Sequence, residues 1–269
     1  LPVYVFVHGG GNSIGSSRLH DYHGYAVAAR SNMVFVTMNY RLSVFGWFRL
    51  PALAEGESPI DASGNYGTLD IIAALRWIRE NIAAFGGDPS RVTLSGESAG
   101  AFNVLSLLVS PLAAGLFHRA VSESGMAVMH DTATAERAAR TVASRLLVRR
   151  RKARSLEEAD DRLAAMSAAE LRRFMRSASP RELVRAMGKS PMGLGMADHP
   201  TIYRDGAVLP SEGYRALGRG TYNRVPLLIG STRDEWKLFM FFGRLHRKDP
   251  ARFEAVASYR SDLWRYVGC

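Results

Sequence analysis

The chain has 269 residues, 47% of them hydrophobic, which is enough apolar material for one large domain or two smaller ones. No run of 18 or more apolar residues occurs, so no stretch reads as a transmembrane helix. The net charge of +10 raises nucleic acid as a partner, but the excess is concentrated in Arg149-Arg150-Arg151-Lys152-Ala153-Arg154, is followed at once by acidic residues, and has no aromatic interleaving; it reads as a solvated helix surface, with no nucleic-acid partner expected.

In chain order, Leu1–Val7 lacks the basic start and cleavage site of a signal peptide. The chain does not open with Met, and its true N-terminus is expected upstream. Pro2–Val7 is continuously apolar, as in a strand of a parallel sheet covered on both faces. His8-Gly9-Gly10-Gly11 ends it and leaves a bare backbone whose N–H groups a ligand atom can approach. Tyr22–Arg30 reads as a short helix or loop, and Asn32–Met38 as a second buried strand. Arg41 and the aromatics of 39–47 are expected to fasten that loop to the sheet, and Pro51–Asn65 reads as an exposed loop. Gly67–Phe85 is the clearest helix: Leu69, Ile72, Leu75 and Ile78 recur at helical spacing, Asp70 sits favourably near its start, and Gly86-Gly87-Asp88-Pro89 stops it.

Arg91–Ser95 reads as a strand and Ala101–Val109 as a helix, with Gly96-Glu97-Ser98-Ala99-Gly100 between them. Strand, Gly-x-Ser-x-Gly, helix is the setting of a nucleophile elbow. The turn is tight enough to need small flanking residues, and it thrusts the serine hydroxyl out beside a helix N-terminus whose free N–H groups favour a developing anion. Another strand lies around Arg119–Ser122. Strands alternating with helices argue for a doubly wound α/β sheet. From Asp131 to Gly188 the composition turns Ala/Arg/Glu/Leu-rich without a strand, which reads as helices forming a lid or cap. Ile202–Pro210 is a short extended region, Val225–Gly230 returns to buried-strand character and ends in Ser231–Glu235, and Trp236–Cys269 reads as mostly helical. The division expected is 1–130 core, 131–200 helical cap, and 201–269 return to the core. Cys269 is the single cysteine, so no internal disulfide forms and no oxidising compartment is required, which does not establish a reducing one; the location is left open between the cytoplasm, slightly favoured, and secretion, which turns on the N-terminus.

These residues resemble the type-B carboxylesterase (cholinesterase-like) family of α/β-hydrolases. The resemblance is carried by His8-Gly9-Gly10-Gly11, Asn39-Tyr40-Arg41-Leu42, Asn65-Tyr66-Gly67, Ala74–Ile78, Asn81–Pro89, Gly96–Gly100, Ser124-Gly125 and Arg233-Asp234-Glu235. It implies an α/β-hydrolase fold and a serine esterase acting on a small-molecule ester without metal or cofactor. It further implies Ser98 as nucleophile, Glu235 as the acid of a Ser-Glu-His triad, N–H groups of Gly10, Gly11 and Ala99 as the oxyanion hole, and Ser124 as a neighbour of the triad. On residue type alone Asp234 competes with Glu235. Ser43, Ile71 and Trp236 stand where the family has Gly, Gln and Gly.

The family's histidine lies well after the acid. Only His246 follows Glu235, by eleven residues, and a parallel crossover needs a dozen or more. The catalytic histidine is therefore expected to be missing, the chain to be a fragment lacking both ends, and its own activity to be weak or absent. The rival reading is a non-catalytic interaction module on the same fold, since fold alone does not establish activity.

Overall fold

The computed structural model of the protein describes residues 1–190 and 193–235. The expected helical stretch Trp236–Cys269, with His246, lies outside the described residues.

The amino-terminal strand β1 (Val3–Val7) is followed by helix α1 (Tyr25–Ser31) and strand β2 (Val34–Thr37). Two short helices, α2 (Ser43–Gly46) and α3 (Pro51–Ala54), precede the long helix α4 (Tyr66–Asn81). Strand β3 (Val92–Glu97) runs into helix α5 (Ala99–Val109), and β4 (Arg119–Glu123) comes next. Four helices follow without a strand: α6 (Thr132–Arg149), α7 (Leu156–Ala165), α8 (Ala168–Arg176) and α9 (Pro180–Ala186). A two-residue antiparallel pair, β5 (Gly188–Lys189) with β6 (Ala197–Asp198), the helix α10 (Arg215–Arg219) and strand β7 (Leu227–Gly230) complete the described chain.

The five long strands form one parallel sheet in the order β2-β1-β3-β4-β7. The chain adds β2 on one side of β1 and β3 on the other, so strand addition reverses between β1 and β3. Such a switch point opens a crevice at the carboxyl ends of the two strands, where open α/β sheets bind ligands. In this protein those ends are the glycine triplet and the serine pentapeptide.

The main core collects Val3, Val5 and Val7 of β1, Leu94 of β3, the inner face of α4 and most of α5. The helical spacing of Ile71, Ile72, Leu75 and Ile78 puts them on one buried face, each contributing about 1.5–3 kcal/mol. On β1's other face Tyr4 and Phe6 stack on Phe35 of β2. Ile71, where the family has Gln, is fully buried in this core. A second core joins Val44, Phe48, Leu50 and Ala52 to apolar residues of α6–α9, so the segment after β2 is what those helices pack upon. Each of α7, α8 and α9 begins at a Ser-x-x-Glu, with Ser155, Ser167 and Ser179 capping, and the last two form full capping boxes.

Four expectations need correction. Arg41 fastens its loop to α4 rather than to the sheet: its guanidinium grips both carboxylate oxygens of Asp70 at 2.8 Å, and its backbone N–H donates to the same group. Asp70 therefore serves that clasp instead of the helix terminus. The stretch 51–65 is not simply an exposed loop, since it contains α3 and buries Ser63 and Asn65. Asn65 is buried because its amide grips Tyr203 from both sides, donating to Tyr203 O (2.7 Å) and accepting from Tyr203 N (2.8 Å). Finally, the two outer strands of the described sheet are not buried as expected: no residue of β2 is buried, and Leu228 of β7 is 68% exposed.

Candidate active site

Ser98 sits between β3 and α5 with φ 53° and ψ −123°, a conformation that costs a non-glycine residue of order 1–3 kcal/mol. The surroundings hold it there. Its N–H donates to Glu123 O on β4 (2.9 Å), and its carbonyl accepts from Phe102 N (3.0 Å). The flanking glycines are demanded by contact. A Cβ on Gly96 would lie 2.4 Å from the backbone of Gly100, and a Cβ on Gly100 would lie 2.0 Å from Val7 O. The pentapeptide thus lets α5 start hard against the end of β1. Ser98 itself is only half-buried.

The glycine triplet lies alongside. A Cβ on Gly9 would come 3.2 Å from Ser98 Cβ and 2.7 Å from Glu97 Oε2. Gly10 and Gly11 adopt φ 106° and 62°, open to glycine at no steric cost. Gly10 O accepts from the N–H groups of Ser13 and Ile14, and Gly11 O from Ser13 Oγ. Among the described residues no acceptor takes the N–H of Gly10 or Gly11. The N–H of Ala99, first residue of α5, has no partner within the helix.

At the end of β7, Glu235 Oε2 accepts from Ser124 Oγ (3.0 Å), Thr232 N (2.8 Å) and Thr232 Oγ1 (2.7 Å). Ser124 directly follows Glu123, whose carbonyl holds Ser98 N, so Ser124 and Glu235 stand beside the elbow. Asp234, the competing acid, lies 3.7 Å from Arg233 in an ion pair. Sequence reasoning passed over Glu97 and Met196. Burial raises the Glu97 carboxyl, with the charges of Glu235 and then Glu123 adding to it. Met196 Sδ occupies the space in front of Gly11, 2.4 Å from where a Cβ would be. Neither carries a local motif; both reach the site through long-range packing.

Three buried or partly buried histidines make structural contacts. Val92 N donates to His118 Nδ1 (3.2 Å). His8 stacks on Tyr40, donates to Gly9 O (2.8 Å), and is pushed towards neutrality by burial. His199 is likewise lowered by burial and donates to Trp47 O (2.7 Å). The arginine run from 149 to 154 is dispersed rather than forming one basic face: Arg150 is held by Glu182 and Ser177, and Lys152 lies over Phe174. Among the described residues no group of three or more His, Cys, Asp or Glu is placed to hold a metal, and no helix is long and apolar enough to cross a membrane.

Comparison with known proteins bears on the same residues. The family model described as "Carboxylesterase family" matches residues 1–264. The chain is 38% identical over 247 residues to the para-nitrobenzyl esterase of Bacillus subtilis (strain 168), covering 89% of this chain and 45% of that protein. It is 36% identical over 269 residues to the fumonisin B1 esterase of Sphingopyxis macrogoltabida, covering 100% of this chain and 44% of that one. A solved PNB esterase structure matches with a TM-score of 0.72 at 34% identity, over 89% of this chain and 47% of its own. The chain spans less than half the length of these relatives.

Proposed function

The chain belongs to the carboxylesterase family, with an α/β-hydrolase fold, and on that premise we propose that the full-length protein hydrolyses carboxylic esters through an acyl-serine intermediate on Ser98. The observation that carries the reading is the strained, half-buried Ser98 lying against the glycine triplet at the switch point of the sheet.

Ser98 Oγ attacks the ester carbonyl, the alcohol leaves, and water releases the acid. The carbonyl oxygen gathers negative charge in the attack. The N–H groups of Gly10, Gly11 and Ala99, with the positive end of α5, are the donors assigned to it, and loss of one such donor costs roughly 10²–10³ in rate. A serine hydroxyl needs an imidazole to take its proton, and a carboxylate to orient that imidazole. Glu235 is assigned as that carboxylate, held by Ser124 and Thr232. The base is assigned to a histidine of the full-length protein that follows the acid by more than the eleven residues separating His246 from Glu235, because the family's histidine lies well after the acid and the six described histidines all precede it. The 269 residues alone are accordingly expected to turn esters over only slowly, since removing a triad member leaves the residual help of binding and the oxyanion hole.

In the full-length protein, Ser98→Ala is expected to cut turnover of a p-nitrophenyl ester by roughly 10⁴-fold or more. A variant retaining a tenth of the turnover would refute the assignment of Ser98.

A further inference from the structure

The cavity next to the glycine triplet is basic. It has a volume of about 410 Å³, within the usual range for a small-molecule site, and brings Ser13, Ile14 and Met196 together with Arg149, Arg185 and Lys189. Ser13 and Ile14 are the two residues whose N–H groups bond Gly10 O, and Met196 is the side chain lying on Gly11. The cavity and the triplet therefore share a wall.

Three cations line this space and no acidic residue does. They come from different places in the fold: Arg149 from the end of α6, Arg185 from α9 and Lys189 from β5. Each is exposed, and among the described residues the side chain of none of them has an ion-pair or hydrogen-bond partner. Two acids lie nearby, and neither lines the cavity. Glu182 is held by Arg150 through two hydrogen bonds, and Asp198 pairs across β5–β6 with Gly188 without lining the cavity. Helix surfaces usually interleave charges of both signs, so three cations lining one concavity without an acid among its lining residues form a site suited to an anion. Guanidinium groups match a carboxylate with paired N–H donors, and an ammonium adds a point charge.

We propose that this cavity binds a carboxylate carried by the substrate, so that the protein prefers esters with an anionic arm over neutral esters of the same length. The inference rests on the esterase reading of Ser98. It makes Arg149, Arg185 and Lys189 determinants of specificity, acting away from the scissile bond.

The test compares mono-p-nitrophenyl glutarate with neutral p-nitrophenyl pentanoate on the full-length protein and its Arg185→Gln/Lys189→Gln variant. The wild type is expected to favour the glutarate ester in kcat/KM, with the preference weakening as salt rises. In the variant the ratio of the two kcat/KM values is expected to fall more than fivefold. A smaller fall, or two esters that decline together, overturns the proposal. Calorimetry of glutarate binding to full-length Ser98→Ala supplies a readout free of chemistry. Binding that disappears when Arg185→Gln and Lys189→Gln are added supports the cavity assignment, and absence of binding overturns it. Should neither ester be hydrolysed, the esterase reading fails while the calorimetry still decides the cavity.

Discussion

Glu97 lies next to Ser98 in sequence, yet its environment is made by distant strands. Burial is the main cause of its raised carboxyl, followed by the negative charges of Glu235 after β7 and Glu123 on β4. The folded state then holds the proton more tightly than the unfolded chain. The stability this contributes is fully present below the ordinary value of 4.5 and is lost as pH rises through the raised folded value. Glu97→Gln removes the ionisation while keeping the side chain's shape against Gly9. Its urea midpoint is expected to exceed that of the wild type by more at pH 8 than at pH 4. A difference that does not change with pH would show that Glu97 does not titrate in this way. The pentapeptide itself was legible from residue type, since Gly96 and Gly100 are required by the contacts they make. The carboxylate cluster around Glu97 was not, because its members are brought together by strand order rather than by spacing.

At the scale of elements, the elbow depends on how closely α5 approaches β1. Gly100→Ala would place a methyl group 2.0 Å from Val7 O, which is backbone and cannot turn aside. The expected cost is about 3 kcal/mol by urea denaturation, at the upper end for overpacking. Gly86→Ala is the control: its Cβ meets nothing within 4 Å, and only its φ of 77° is penalised, by about 1 kcal/mol. Equal costs for the two would mean that the α5–β1 approach is not tight. The start of α4 and the strand character of β1 to β4 were readable from hydrophobic period; the end of α4 was overrun by four residues, because a 3-10 turn over Ile82–Phe85 carries the chain on to the Gly-Gly-Asp-Pro stop. Ser43 was seen only as a departure from the family's glycine. The structure gives the reason for that glycine, since the position has φ 57°, and it also shows what serine gains: its Oγ donates to Ser13 O (3.1 Å). The burial expected for β2 and β7 was not met because an apolar run does not say whether its strand is an outer one in the described sheet.

Over the whole molecule, alternating strand and helix signals sufficed for a parallel sheet, but not for the strand order that creates the crevice between β1 and β3. Composition set apart the strandless helical stretch α6–α9. What it could not supply is the seam between those helices and the segment after β2, where Arg49 meets Glu136 and Arg172 donates to Ala52 O across more than eighty residues of sequence. That seam and the second core fasten α6–α9 onto the segment after β2, and so form the wall that carries Arg149, Arg185 and Met196 past the glycine triplet.

Because the sheet's switch point brings Ser98 against the triplet, the most direct measurement of the role proposed for it is to treat the full-length protein with a fluorophosphonate and map the adduct by peptide mass spectrometry. The account predicts a single phosphonylated residue, Ser98, and no adduct in Ser98→Ala. An adduct on another serine, or labelling undiminished by that substitution, would contradict it.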